Sequence, residues 1–526
     1  MYHIINRLIG LSTFLAWFLF AIVVTGCVDS VRSSSNSCST NEIIVPGWEQ
    51  SYKAGYMDSK GHYAGGSEIL HIVNHKGKLY SAVSYWMDPR NSWYGGKDES
   101  TGWGQILRLD KPGGQWEVDL EMGPQHLRPE IIKSVTITTD GKGNPLNKPV
   151  NLLMVSTYTP KLITVDINIF IRDDETGDWI RSKIFSGIRP LNLEKRSVRD
   201  IHVHRDRVTG VDRIFISIGV LGIFSGVYDP DAPVKIRWET KSESGPVKTR
   251  PLAIIEANGS LLFSAGTLIY RRNDGQLPTY TIIHDASEIS KVSASSPVGG
   301  IRGMSAIPNP NGPGESILFV RAAGLQSQGC IYRLDPDGKG GYTRTEEVCL
   351  ASLMKKYLNG NPVYFVLAGY NDIYPVVDPL TKETVHLIGF ESWIGGHEFP
   401  TVTPSALLHK AYLFVKRIPE GGFYSGGMYA IREKNGNYRL REINGPITPC
   451  KPVLIATRAY VLSPFKDNKN SVIYFGGNDC NWFQLSHNRA WIFQTSLENA
   501  LRKDEPNRKN FNNSLFKRTF QYEKDL

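Results

Sequence analysis

Several things are scarce in this chain of 526 residues. No long amphipathic helical pattern occurs before Thr495, so an α-helical or α/β domain is not expected. There is no phosphate loop, no Gly-x-Ser-x-Gly elbow and no His-Glu-x-x-His helix. Those absences remove the commonest signatures of nucleotide, serine-hydrolase and zinc-protease chemistry, and no cofactor is expected. Charge of one sign is nowhere gathered in blocks: the net +9 is dispersed, which argues against a nucleic-acid partner. Cysteine is sparse, six in all, which excludes a small disulfide-stapled scaffold.

What is present begins at the N-terminus. In "MYHIINRLIGLSTFLAWFLFAIVVTGC" a basic residue, Arg7, precedes an apolar run from Leu8 to Val24, which ends in Val24-Thr25-Gly26-Cys27. This resembles a bacterial lipoprotein signal with its lipobox. The resemblance implies removal of residues 1–26, acylation of Cys27, a membrane anchor through that cysteine, and a place in the cell envelope. The alternative is an uncleaved anchor helix. Val28 follows the cysteine where some inner-membrane lipoproteins carry aspartate, so periplasmic and outer-membrane destinations both stay open. Residues 27–41, "CVDSVRSSSNSCSTN", read as a Ser-rich tether.

An oxidising compartment suits the remaining cysteines. Two local disulfides are expected, Cys330–Cys349 and Cys450–Cys480, with Cys38 left over; buried free thiols are the alternative.

Beyond the tether a short β-unit recurs. Outer hairpins such as "INIFIRDDETGDWIRSKIF" and "GCIYRLDPDGKGGYTRTEEV" set alternating strands around Gly/Asp/Asn-rich turns. Upstream of each lies an inner hairpin, of which "RDIHVHRDRVTGVDRIFISIG" is one copy. Seven such units follow one another, at about 67–122, 128–187, 196–241, 249–286, 298–351, 362–445 and 450–497. The pattern resembles an all-β, seven-bladed β-propeller of four-stranded antiparallel blades, spanning 42–497. Residues 42–53 are expected either to complete the last blade or to lead as a loop into the first. Residues 498–526 form a charged tail, helical for a short way or frayed. Neither a WD signature nor a sialidase-type aspartate box is present, so no propeller family is assigned.

The architecture implies where chemistry would lie. The first position of the inner-strand repeat reads Ser67, Lys133, Arg199, Arg250, Arg302, Asn371 and Arg458, mostly cationic and facing one mouth of the central channel. Such a ring suits an anionic small molecule or an acidic glycan. Equally, each cation can pair with a carboxylate of the next blade, with Glu68, Asp200 and Asp372 placed to help. Loop aromatics at the same mouth, Trp86, Trp93, Tyr94, Trp103 and Trp393, can stack on sugars, anchor an envelope protein partner, or merely cap blade ends.

For a polysaccharide hydrolase or lyase, Asp88, Asp98, Asp200, Asp372, Glu391, Glu398 and Asp479 are available, but no spacing selects a catalytic pair. His202 and His204 invite a metal reading, with His386 or His397 as a third ligand from a distant blade. That His-x-His has no counterpart in the other units, and packing against the neighbouring blade is the expected role, so no metal is assigned. Three function classes stand: an anion- or glycan-binding lipoprotein, an envelope scaffold, and a glycan-active enzyme.

Overall fold

A computed structural model describes residues 47–85, 102–124, 126–158, 165–188, 198–232, 234–289, 300–322, 328–357, 363–369, 373–395, 422–424, 427–443, 454–465, 471–479 and 488–503. Seven antiparallel blades follow one another around a central channel; five are separate sheets of four strands taken in chain order, and the sixth and seventh are joined where Glu391 pairs with Ala456. The inner strands of these five are Glu68–His75, Arg128–Thr139, Val198–Arg205, Pro251–Ala257 and Gly300–Pro308. In the sixth blade the inner strand comes in two pieces, Val363–Ala368 and Tyr374–Val377, both paired with Thr384–Gly395. Among the described residues there are two α-helices, α1 (Leu350–Tyr357) and α2 (Leu497–Leu501).

The seventh blade is made from both ends of the chain. Its first three strands are Leu454–Leu462, Val472–Asp479 and Ala490–Ser496; its fourth is Glu49–Lys53, antiparallel to Ala490–Ser496. Trp48 seats this strand, its ring edge-on to Phe475 at 5.0 Å and to Tyr429 at 6.5 Å. Helix α2 follows directly, and Asn499 donates to the carbonyl of Gly47 at 2.9 Å. The sheet thereby has no open edge at the seam.

Burial explains the sequence pattern. Second strands are sandwiched by blades on both faces, so Ser260–Ala265 is buried throughout and Asp212–Ile218 nearly so. Outer strands such as Thr279–Asp285 are mostly exposed and polar. Between blades two and three, Ile131, Ile169, Ile201 and Ile216 interlock in one apolar layer. Aspartates open the hairpin turns: Asp206 accepts from the amides of Val208 and Thr209, and Asp140 from those of Lys142 and Asn144. Gly210, at φ 73°, closes the first of these turns in a conformation that glycine adopts without strain.

We call the face where inner strands begin the top. Near that end all seven inner strands carry a β-bulge, one extra residue opposite the second strand. The shifts fall between Ile69 and His71, Pro129 and Ile131, Val198 and Ile201, Pro251 and Ala253, Ile301 and Met304, Val363 and Phe365, and Thr457 and Ala459. A bulge twists the strand and re-aims the residues beside it. Here those residues are largely the charged ones.

Candidate functional site at the top of the channel

The rim is built from residues within two positions of the bulges. Arg128 and Glu130 come from blade two, Arg199 and Asp200 from blade three, Arg250 from blade four, Arg302 from blade five and Arg458 from blade seven. Backbone bonds lock this geometry. The Ser217 hydroxyl accepts from the amides of Arg199 and Asp200, and Asp200 itself accepts from Ile254 on the next blade at 2.6 Å. Ser156 and Ser264 donate across blade boundaries to the carbonyls of Val198 and Ile301.

Carboxylates stand among the guanidiniums. Glu130 lies 2.8 Å from Arg128 and also takes a charged hydrogen bond from Arg199. Glu68 accepts from Arg458 and lies 3.6 Å from Arg128, while Arg458 reaches Glu391 at 3.4 Å. Burial opposes ionisation of Glu130, yet Arg128, Arg199 and Arg250 outweigh it and hold the carboxyl down at about 2. Burial pushes the guanidinium of Arg250 down to about 9, with Arg199 and Arg302 adding repulsion and Glu130 opposing them. Three arginines of consecutive blades thus share one neighbourhood.

Lys133 lies elsewhere than its repeat position implied. The inner strand of blade two starts at Arg128, so Lys133 lies five residues further along it, and its ammonium pairs with Asp200 at 3.7 Å. Together with Arg458, His71, Tyr374 and Tyr460 it lines a channel cavity of about 260 Å³. Strand pairing in blade six begins at Val363, upstream of Asn371, which lies outside the described residues. Ser67 caps blade one, its hydroxyl donating to the carbonyl of Ser84.

Sequence reasoning missed Arg128 and Glu130, although a signal existed. Arg128-Pro129 and Arg250-Pro251 are the same dipeptide at the same place in two blades. Proline fits the first residue of a strand because no ladder bond is lost there. The second-strand serines were also readable, near the ends of largely apolar segments, at Ser84, Ser156, Ser217 and Ser264.

Of the aromatics, Trp103 is half-buried ahead of the third strand of blade one. The backbone of Trp393 pairs with Phe365 and Tyr424 in blade six. Trp86, Trp93 and Tyr94 lie outside the described residues, as do Cys27, Cys450 and Cys480. Cys330 and Cys349 are directly paired across the top of blade five and form a disulfide.

His204 is part of a different system, at the bottom of the blades. His204 Nδ1 and Nε2 lie 2.9 Å from Glu256 and 3.1 Å from Asp274, both on blade four. The His-x-His pair itself does not recur, but a single histidine of blade one, His75, reaches Ser134 and Asp174 of blade two in a similar way. Among the described residues the one Cys/His/Asp/Glu group with metal-like spacing is Cys330, Glu346 and Cys349, and its two sulfurs are joined to each other.

No protein-family profile matches the chain, and no curated protein sequence does. Solved structures similar to it include a fungal alcohol oxidase of the AA5 family in complex with copper, at 13% identity and TM-score 0.42, over 85% of this chain and 76% of that one. The Fusarium graminearum α-L-arabinofuranosidase Arb93A shares 9% identity at TM-score 0.39, over 87% and 99% of the two chains. A Penicillium chrysogenum α-L-arabinanase shares 12% identity at TM-score 0.37, over 65% and 92%.

Proposed function

We propose that the top of the channel binds an anionic small molecule or the acidic group of a glycan, in a protein held at the cell envelope through a lipidated Cys27. The observation that carries the reading is the gathering of Arg128, Arg199 and Arg250 about the carboxylate of Glu130, with Arg302 of the next blade beside Arg250. Guanidiniums suit this task because their planar forks take a carboxylate, sulfate or phosphate with two parallel hydrogen bonds. Like charges about 10 Å apart repel by roughly 1–2 kcal/mol per pair at an effective dielectric near 20, which an arriving anion relieves. The bulges supply the rigidity a binding site needs, since each side chain is aimed by a fixed backbone irregularity.

A hydrolytic reading asks for a carboxylic acid that keeps its proton near neutral pH. Glu130 is held ionised, and Glu68 and Glu391 both lie on Arg458. Glu442 is pushed up to about 8 by burial, but it closes the outermost strand of blade six, away from the inner strands that form the rim. Binding without chemistry therefore fits the rim better.

The test is calorimetric titration with galacturonate oligomers, sulfate and neutral oligosaccharides. Uptake of the acidic ligands by the native chain, and its loss when Arg199, Arg250 and Arg302 are all replaced by Met, is expected. Unchanged binding of every anion in the triple variant sinks the proposal. The anchor is tested separately, by fatty-acid labelling of the native chain and of Cys27→Ala.

A further inference from the structure

The bottom face carries a second depression, unrelated to the channel mouth. It measures about 530 Å³ and lies among the hairpin turns of blades three, four and five, with Arg207, Val208, Asn258, Arg271, Asn273 and Tyr342 in its wall. Two adjacent arginines of one strand behave differently there. Arg272 is buried and held by Asp206, Glu243 and Asp274. Arg271 points the other way, as strand alternation demands, and its half-buried guanidinium makes no hydrogen bond or ion pair among the described residues. Across from it Arg207 is fixed by Asp274 at 3.1 Å and Ser260 at 3.1 Å. A cation without a counter-ion thus shares the wall of the depression with a second one, which Asp274 pairs.

The lip of the depression is apolar. Val208, in its wall, is 65% exposed, and Leu277, in the neighbouring turn, is 90% exposed. Both belong to turns organised by one carboxylate: Asp206 accepts from the amide of Val208 at 3.0 Å and from that of Gly275 at 3.2 Å. An aliphatic lip beside paired guanidiniums does not suit a sugar, which prefers aromatic faces. The one aromatic in the wall, Tyr342, has its hydroxyl bonded to Asn258.

We propose that this depression docks an acidic peptide segment of a partner protein. A carboxylate of the peptide is taken by Arg271, in the wall it shares with Arg207, and a neighbouring aliphatic side chain rests on Val208 and reaches Leu277 in the next turn. The inference does not depend on the reading of the channel mouth, because it uses other residues on the opposite face.

The experiment is a random-peptide display selection on the detergent-solubilised full chain, followed by titration of one enriched peptide made synthetically. Enrichment of sequences with Asp or Glu beside Leu, Ile or Val is expected. Arg271→Ala is expected to weaken the synthetic peptide by roughly tenfold, and Val208→Ser with Leu277→Ser to weaken it comparably. Arg250→Met is expected to leave it untouched, which separates this site from the mouth. Peptides without that consensus, or binding indifferent to Arg271→Ala, overturn the proposal. So does Arg271-dependent binding of a galacturonate oligomer in place of peptide, which makes the depression a glycan site.

Discussion

A buried charge destabilises a fold unless it is paired, and Arg272 shows how this chain meets the requirement. Its guanidinium lies over the ring of Phe215 and contacts three carboxylates, while Arg172 repeats the arrangement over Tyr80 with Asp119 and Asp174. Replacing Arg272 by Met leaves Asp206 and Asp274 buried without it, and a loss of about 3–5 kcal/mol is expected in urea unfolding. Glu130→Gln acts in the other sense at the rim. It removes the carboxylate that competes with an incoming anion, so the rise in Tm produced by sulfate should be larger in the variant than in the native chain. Equal rises would place the anion elsewhere.

Two buried histidines set the response to mild acid. Burial and Arg181 push His126 down to about 4; burial and Arg432 do the same to His386. The unfolded chain takes up these protons below about pH 6.5, whereas the folded chain takes them only near pH 4. Stability is therefore full above the unfolded value and falls as pH drops from about 6.5 towards 4, by on the order of 2 kcal/mol for each histidine. Denaturation midpoints across that range, compared with His126→Gln and His386→Gln, check this: the variants should show flatter profiles.

At the scale of strands and turns, the hairpins were legible and the bulges were not. Turn residues announce themselves by type, and Asp206 and Gly210 stand where the turn chemistry requires them. A bulge is one additional residue with no preferred identity, so alternation alone slid blade two to Lys133 and concealed Arg128 and Glu130. The Cys330–Cys349 pair was readable from its place at matching ends of two strands. Replacing both cysteines by Ser should cost roughly 3 kcal/mol by the loop-entropy argument, visible as a lower urea midpoint with channel-mouth binding intact. Close blade contact has a sharper test in Gly389, where an added Cβ would lie 1.9 Å from the carbonyl oxygen of Thr457. Gly389→Ala should force blades six and seven apart and destabilise the chain by more than the cysteine replacement does.

For the whole molecule, repetition made the fold readable: seven copies of one hairpin pair can bury their faces only against one another. Function was less readable, because the rim owes its character to which blades face each other, and pairs such as Arg458 with Glu68 are remote in sequence. The seam has a further consequence, and it concerns time. The hydroxyl of Thr495 meets the carbonyl of Gly47 across a separation of 448 residues. Closing so long a loop is entropically slow, and Glu49–Lys53 has no partner strand until Ala490–Ser496 has been made. Six blades can therefore assemble while the first-made strand waits, and the ring latches last. A permuted chain that carries residues 47–53 directly behind the last blade should refold faster with the same final stability.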